Sequence, residues 1–198
     1  MTTIFSLIAL VIAITIHEFA HALVADRLGD PTPRSQGRLT LNPLAHLDPL
    51  GTLMLLIAHF GWGKPIQIDP YNFSHPKRDE LLVALAGPTS NIFLAIVTGL
   101  LIRFFPNNPL ISLYVVFLIT NLSLAIFNLI PIPPLDGSKI LINLLPSHLS
   151  VELSESFDKF GIVLLIIFLF LPFNGSSLVS HLMTPIINFC LRYLLLGH

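Results

Sequence analysis

Residues 2–28 read TTIFSLIALVIAITIHEFAHALVADRL, and this stretch decides the architecture. No charged side chain occurs from Thr2 to Ile16, and the first ionisable groups are His17 and Glu18, with His21 following. A helix crossing the hydrocarbon core of a bilayer needs about 20 predominantly apolar residues. The run from about Ile4 to Leu28 meets that length and carries the pattern H-E-x-x-H, His17-Glu18-Phe19-Ala20-His21, in its second half. It has no basic residue ahead of it, and it leads straight into His17 and Glu18 instead of a small-residue cleavage site, so it reads as a retained first membrane helix.

Residues four apart on an α-helix share a face at about 6 Å, so His17 and His21 can set two imidazole nitrogens about 2.0–2.1 Å from one zinc ion. Glu18, one position on, flanks such an ion and is suited to take a proton from the attacking water as general base. Two helix histidines beside an accidental glutamate are the plain alternative. It is weakened because ionisable groups within a membrane helix are costly and mark function.

The composition agrees with a multi-pass membrane chain. Of 198 residues, 54% are hydrophobic and only 11% charged, against about 25% charged in soluble domains, and the mean hydropathy is +0.82. A net charge of −1 with scattered Lys and Arg offers no basic field, so nucleic acid is not an expected partner. The single cysteine, Cys190, reads as a small apolar filler.

Three further charge-free stretches, Leu81 to Ile102, Pro106 to Leu135 and Phe160 to Ser180, are each long enough to span, and Leu178 to Leu196 is a weaker last span. Leu50 to Trp62 has an apolar core near half the spanning length and reads as re-entrant, with a full crossing as the alternative. Lys64-Pro65-Ile66-Gln67-Ile68-Asp69 alternates polar and apolar residues, the pattern of a short edge strand. The expectation is an all-α polytopic membrane protein of about five to six transmembrane helices, with one re-entrant segment and one short β element. With the first helix running outside to inside, nine of the ten basic residues fall in the cytoplasm, Arg103 being the exception. That topology puts the metal motif toward the cytoplasmic side of a membrane, the cell membrane being the expected one.

A catalytic zinc takes three protein ligands and keeps one position open. Asp136 is the leading third ligand. It lies in Pro131-Ile132-Pro133-Pro134-Leu135-Asp136-Gly137, where three prolines and a glycine break the helix directly after an apolar run. Broken backbone at membrane depth is tolerated where it lines a cavity or is buried in protein. Capping the following helix is its other reading, and Glu152 or Glu155 is the alternative ligand. Within Ala86-Gly87-Pro88-Thr89-Ser90-Asn91, the small residues allow close helix approach, and Pro88 frees a carbonyl. Asn91 either makes a structural bond between helices or orients the scissile carbonyl as a catalytic residue. His46 and Asp48, in the turn-rich segment Asn42 to Pro49, read as loop-forming or ligand-orienting residues.

These residues together resemble the site-2 protease family of intramembrane zinc metalloproteases, peptidase family M50. Four elements match in order: the His17 to His21 motif, Asn42 to Gly51, Gly87 to Asn91, and Asn128 to Gly137. The resemblance implies a three-helix catalytic core, one zinc ion on His17, His21 and Asp136, and water activation by Glu18. It also implies membrane-spanning segments of other proteins as substrates. The chain is similar to the minimal branch of the family, without a PDZ domain. Residues 1–145 are then the membrane-embedded metalloprotease core, and residues 146–198 are accessory helices for gating or homodimer contacts. A non-catalytic zinc-binding membrane protein or a transporter is the alternative, disfavoured by the scarcity of charged residues on several helices.

Overall fold

The computed structural model describes residues 2–58, 61–173 and 175–196. In chain order the helices are α1 (Thr2–Arg27), the single turn α2 (Thr32–Ser35), α3 (Pro49–Ala58), α4 (Pro76–Phe104), α5 (Ile111–Asn128), α6 (Asp136–Leu144), α7 (Ser147–Phe170) and α8 (Leu178–Leu196). Between α7 and α8, β1 (Pro172–Phe173) and β2 (Ser176–Ser177) pair antiparallel, with Pro172 opposite Ser177.

Helices α1, α4 and α5 pack against one another as a three-helix core. The packing follows from small residues at helical spacing. Ala9, Ala13, His17, His21 and Ala25 recur every four residues along α1, and all are buried. On α4 the buried row is Ala84, Gly87, Asn91, Ala95 and Thr98. Few of these side chains hold the backbones apart, the usual condition for helix contact in lipid. On the same helix Ile4, Ile8 and Ile12 are exposed. The second layer is α8, whose Ile187, Cys190, Leu191 and Leu194 pack on Ala95, Leu118 and Leu122. Cys190 therefore fills a core position, as its residue type suggests.

The helix ends explain where the chain leaves the core. After α1, Gly29 takes φ 109°, a left-handed conformation that glycine adopts without a Cβ penalty, and the chain turns away. Asp30, fully buried, then accepts hydrogen bonds from the Thr32 N–H (3.0 Å), the Thr32 hydroxyl (2.6 Å), the Asn72 side chain (2.9 Å) and the Asp69 N–H (2.8 Å). One carboxylate thus ties the end of α1 to the segment that leads into α4. Asp48 is an N-cap: its Oδ1 accepts from the Gly51 N–H at 2.8 Å, in the first turn of α3.

Four described helices are long and apolar enough to cross a membrane: Ile4–Arg27, Pro76–Phe104, Ile111–Asn128 and Leu178–Leu195. The expected span from Phe160 to Ser180 is not one helix. α7 stops at Phe170, and the β1–β2 hairpin occupies the remainder. The first half of α7 also carries Glu152, Glu155, Asp158 and Lys159, which dilutes its apolar character. The expected strand at Lys64–Asp69 joins no sheet; the nearest pairing is an isolated bridge between Leu47 and Gly63. The alternation marked the faces correctly, because Ile66 and Ile68 pack on Ala25, Phe73 and Val83. Among the described residues no neighbouring strand is present to complete a ladder, and the short β element lies at residues 172–177 instead. The segment from Leu50 to Trp62 begins as α3 and lies partly outside the described residues.

Candidate metal centre

The core brings together three side chains from distant parts of the chain. His17 Nε2 lies 3.0 Å from Asp136 Oδ2, His21 Nε2 lies 3.2 Å from the same oxygen, and the two Nε2 atoms are 3.1 Å apart. Tetrahedral coordination with bonds of about 2.0–2.2 Å has edges of roughly 3.3–3.6 Å, so this triangle matches one face to within a few tenths of an ångström. It is the group of three or more His, Cys, Asp or Glu side chains with metal-site spacing found among the described residues. Glu152 and Glu155 are exposed on α7 and outside it.

Each imidazole is held by its other nitrogen. His21 Nδ1–H donates to the Val83 carbonyl at 2.6 Å, and His17 Nδ1–H donates to Asn91 Oδ1 at 2.6 Å. Pro88 lacks an N–H and loosens the α4 turn beside Val83. Anchoring Nδ1 fixes the tautomer that turns Nε2 toward a metal, the arrangement expected of ligand histidines. Asn91 is itself fixed, since its Nδ2 donates to the Ala13 carbonyl (3.1 Å) and to Asn121 Oδ1 (2.9 Å), and Asn121 donates to the Phe117 carbonyl at 2.9 Å. Both Asn91 donors are consumed inside fully buried protein. The interhelical bond offered as the other reading of Asn91 is present, and through it Asn91 also holds His17.

Gly87 completes the cradle. A Cβ at that position would lie 2.3 Å from His21 Nε2 and 2.6 Å from His17 Nε2. The space a metal requires beside the imidazoles exists because α4 has no side chain there. The donor set, the anchored tautomers and this clearance all fit a zinc ion.

Asp136 opens α6, next to Gly137, whose missing Cβ would meet the Leu129 carbonyl at 2.3 Å. The proline loop folds tightly over that glycine and aims the carboxylate at α1. Asp136 makes no side-chain capping bond, so the capping reading is not realised.

Glu18, half-buried, points to the other side of the pair, where its Oε2 accepts from the Ile66 N–H at 3.2 Å. His46 and Asp48 do not join the metal group. His46 is buried and donates from Nε2 to the Thr40 carbonyl at 2.7 Å, a loop-forming contact. Sequence reasoning missed Asn121, although an amide inside an apolar span is a recognisable signal. It also missed the buried Arg38, whose setting in a turn-rich loop gave no sign of burial.

Fold and site together define an integral membrane protein with a buried cluster of two histidines and one aspartate that could hold a metal ion, next to a glutamate. The model of peptidase family M50 matches residues 105–172. The chain is 37% identical over 191 residues to YwhC of Bacillus subtilis, which is named as a zinc metalloprotease, covering 91% of this chain and 84% of that one. It is 34% identical over 177 residues to Rip2 of Mycobacterium tuberculosis, likewise named, covering 83% of this chain and 66% of that one, just under two thirds of its length. The chain belongs to peptidase family M50, and it is a zinc metalloprotease. No solved structure matches it.

Proposed function

We propose that this chain is a zinc-dependent endopeptidase that hydrolyses peptide bonds in or near the transmembrane segments of other proteins. The observation that carries the reading is the position of the ligand pair along α1. His21 and His17 lie six and ten residues before Arg27, about 9 and 15 Å up a helix long and apolar enough to cross the hydrocarbon core. A metal held there by His17, His21 and Asp136 is reached from within the bilayer. The basic residues of the Arg27–Arg38 loop, with Lys64, Lys77 and Arg78, support a cytoplasmic position for that end of the bundle and a cell-membrane location. The four long helices then form the membrane-embedded part, with residues 146–198 bracing a core of residues 1–145.

When bound, zinc supplies a Lewis acid that polarises the scissile carbonyl and lowers the pKa of water to about 7. Glu18 removes a proton from the attacking water and delivers it to the departing amine nitrogen. The Ile66 N–H holds the carboxylate in place for that transfer. Asn91 and the Val83 carbonyl keep both imidazoles in the ligand tautomer. A substrate helix must unwind first, because its peptide bonds are hydrogen-bonded and shielded. The extended, unladdered segment Lys64–Asp69 beside Glu18 suits pairing with the unwound chain as an added strand.

The test is Glu18→Gln in the detergent-purified chain. Cleavage of a model membrane substrate should vanish while about one zinc per chain is retained. Continued cleavage at the wild-type rate would remove Glu18 from the role of base, and absence of cleavage by the wild type across apolar substrates would remove the intramembrane reading.

A further inference from the structure

Arg38 lies in the loop between α1 and α3, a region where arginines normally reach into water, yet it is only 4% exposed. Among the described residues it forms no ion pair. Removing a guanidinium from water without a carboxylate partner is costly, so its burial calls for a compensating role. Its two terminal nitrogens go to backbone: Nη1 donates to the Ala45 carbonyl and Nη2 to the Lys64 carbonyl. These carbonyls belong to two segments that meet beside Ile14 and Glu18 of α1.

The same junction is fastened again by the Lys64 N–H, which donates to the His46 carbonyl at 2.7 Å. From Lys64 the chain runs directly onto Glu18. A Cβ on Gly63 would lie 2.7 Å from Ile14 and 3.5 Å from Glu18 Oε1, so the backbone there is pressed close to α1. Two residues beyond Lys64, the Ile66 N–H donates to Glu18 Oε2 at 3.2 Å. Burial pushes the Arg38 guanidinium down from its ordinary value, and the Glu18 carboxylate is the charge that opposes the shift.

We propose that Arg38 is a positioning residue, which by gripping the Ala45 and Lys64 carbonyls holds the extended segment 63–66 against Glu18 and so fixes both the base and the backbone that faces the substrate. This rests on the reading of Glu18 given above. A guanidinium suits the task because its fork presents several donors in one rigid plane, whereas a lysine ammonium is a single point on a flexible stem. The gripped carbonyls, Ala45 and Lys64, belong to segments that carry none of His17, His21 and Asp136. Loss of the grip should disturb Glu18 and leave His17, His21 and Asp136 in place.

The experiment uses the full chain with its zinc, purified in detergent, as wild type, Arg38→Gln and Arg38→Lys. Three quantities are read: zinc per chain, amide hydrogen exchange over residues 63–69, and kcat and KM on a fluorogenic peptide containing an apolar membrane segment. Arg38→Gln should keep about one zinc per chain while the Lys64 and Ile66 amides exchange at least about tenfold faster, since each lost charge-assisted bond is worth about one decade or more. Its kcat should fall by a similar factor with KM within about twofold, and Arg38→Lys should recover part of both losses. Unchanged exchange over 63–69 in Arg38→Gln overturns the proposal. So does loss of zinc or of folding in that variant, which would make Arg38 a support of the whole fold. If the wild type cleaves no peptide, the protease reading fails by itself, while zinc content and exchange still decide the role of Arg38.

Discussion

Replacing Gly87 by alanine separates the metal centre from the stability of the fold. The new methyl carbon would stand 2.3 Å from His21 Nε2, 2.6 Å from His17 Nε2 and 2.6 Å from His17 Cε1. Non-bonded contacts settle near 3.5 Å, so the imidazoles must retreat by about 1 Å. That is several times the tolerance of about 0.2 Å on a metal–ligand bond. Retreat is opposed at both rings, because the Nδ1 atoms are anchored to Val83 and Asn91 on the same helix that carries the new methyl. Zinc affinity should fall by at least about 100-fold, beyond the usual cost of losing one outer contact to a ligand. Measured against the zinc-free wild type, the effect on folding is small by comparison. Glycine to alanine within a helix gains roughly 0.5–1 kcal/mol, and overpacking costs about 1–3 kcal/mol, leaving a net loss of about 0–2.5 kcal/mol. The variant should be a folded, inactive, zinc-free protein. Metal content by mass spectrometry, with circular dichroism melts on the same sample, provides the check. A Gly87→Ala protein with one zinc per chain at wild-type affinity would refute both the proposed ligand geometry and the purpose assigned to the glycine.

Three further outcomes are expected. Asn91→Ala frees His17 Nδ1 and orphans Asn121, so zinc should bind roughly 10–100-fold more weakly in competition with a chromophoric chelator. Gly161→Ala places a methyl 2.7 Å from Pro133 Cβ, in the loop that presents Asp136, and should weaken zinc binding; Gly99→Ala, which meets Leu194 at 3.2 Å far from the site, should leave it unchanged. Burial would raise the Asp30 carboxyl, but hydrogen bonds from the Thr32 hydroxyl, the Asp69 and Thr32 N–H groups and Asn72 outweigh it and hold the group below its ordinary value. A depressed carboxyl stabilises the fold above its unfolded pKa, about 3.9, and that contribution is lost as the pH drops through the lower folded value. Wild-type melts should therefore fall below about pH 4, while Asp30→Asn should melt lower at pH 7, by about 1.5–3 kcal/mol, and show a flatter acid limb.

The metal motif and the core helices were readable because their signals are local. His17 and His21 needed only a spacing of four, and the apolar runs needed only length. Asp136 could be singled out because three prolines and a glycine beside a carboxylate are hard to place in lipid, and the structure brings it within 3.0 Å of His17 and 3.2 Å of His21. What the sequence did not show concerns partners that spacing does not encode. Nothing along α4 says that Asn91 will spend its amide on Ala13 and Asn121, residues 78 and 30 positions away. The alternation at Lys64–Asp69 reports a buried face, and a loop pressed on Ala25, Phe73 and Val83 has one as surely as a strand does. The apolar run from Phe160 to Ser180 hid a turn, since hydropathy does not register the Pro172–Ser177 hairpin.

His17 and Asp136 are separated by 119 residues in the chain and share one coordination triangle. An ion shared between them is a cross-link as well as a reagent. Tying a loop of that size restricts the unfolded chain by about 4–5 kcal/mol in the entropic account of disulfides, and this chain, with one cysteine, has no internal disulfide to do the same. A chelator would then do more than halt hydrolysis. It would unclasp α6 from α1, and the bundle would begin to come apart at its catalytic end while the outer ends of the helices were still packed.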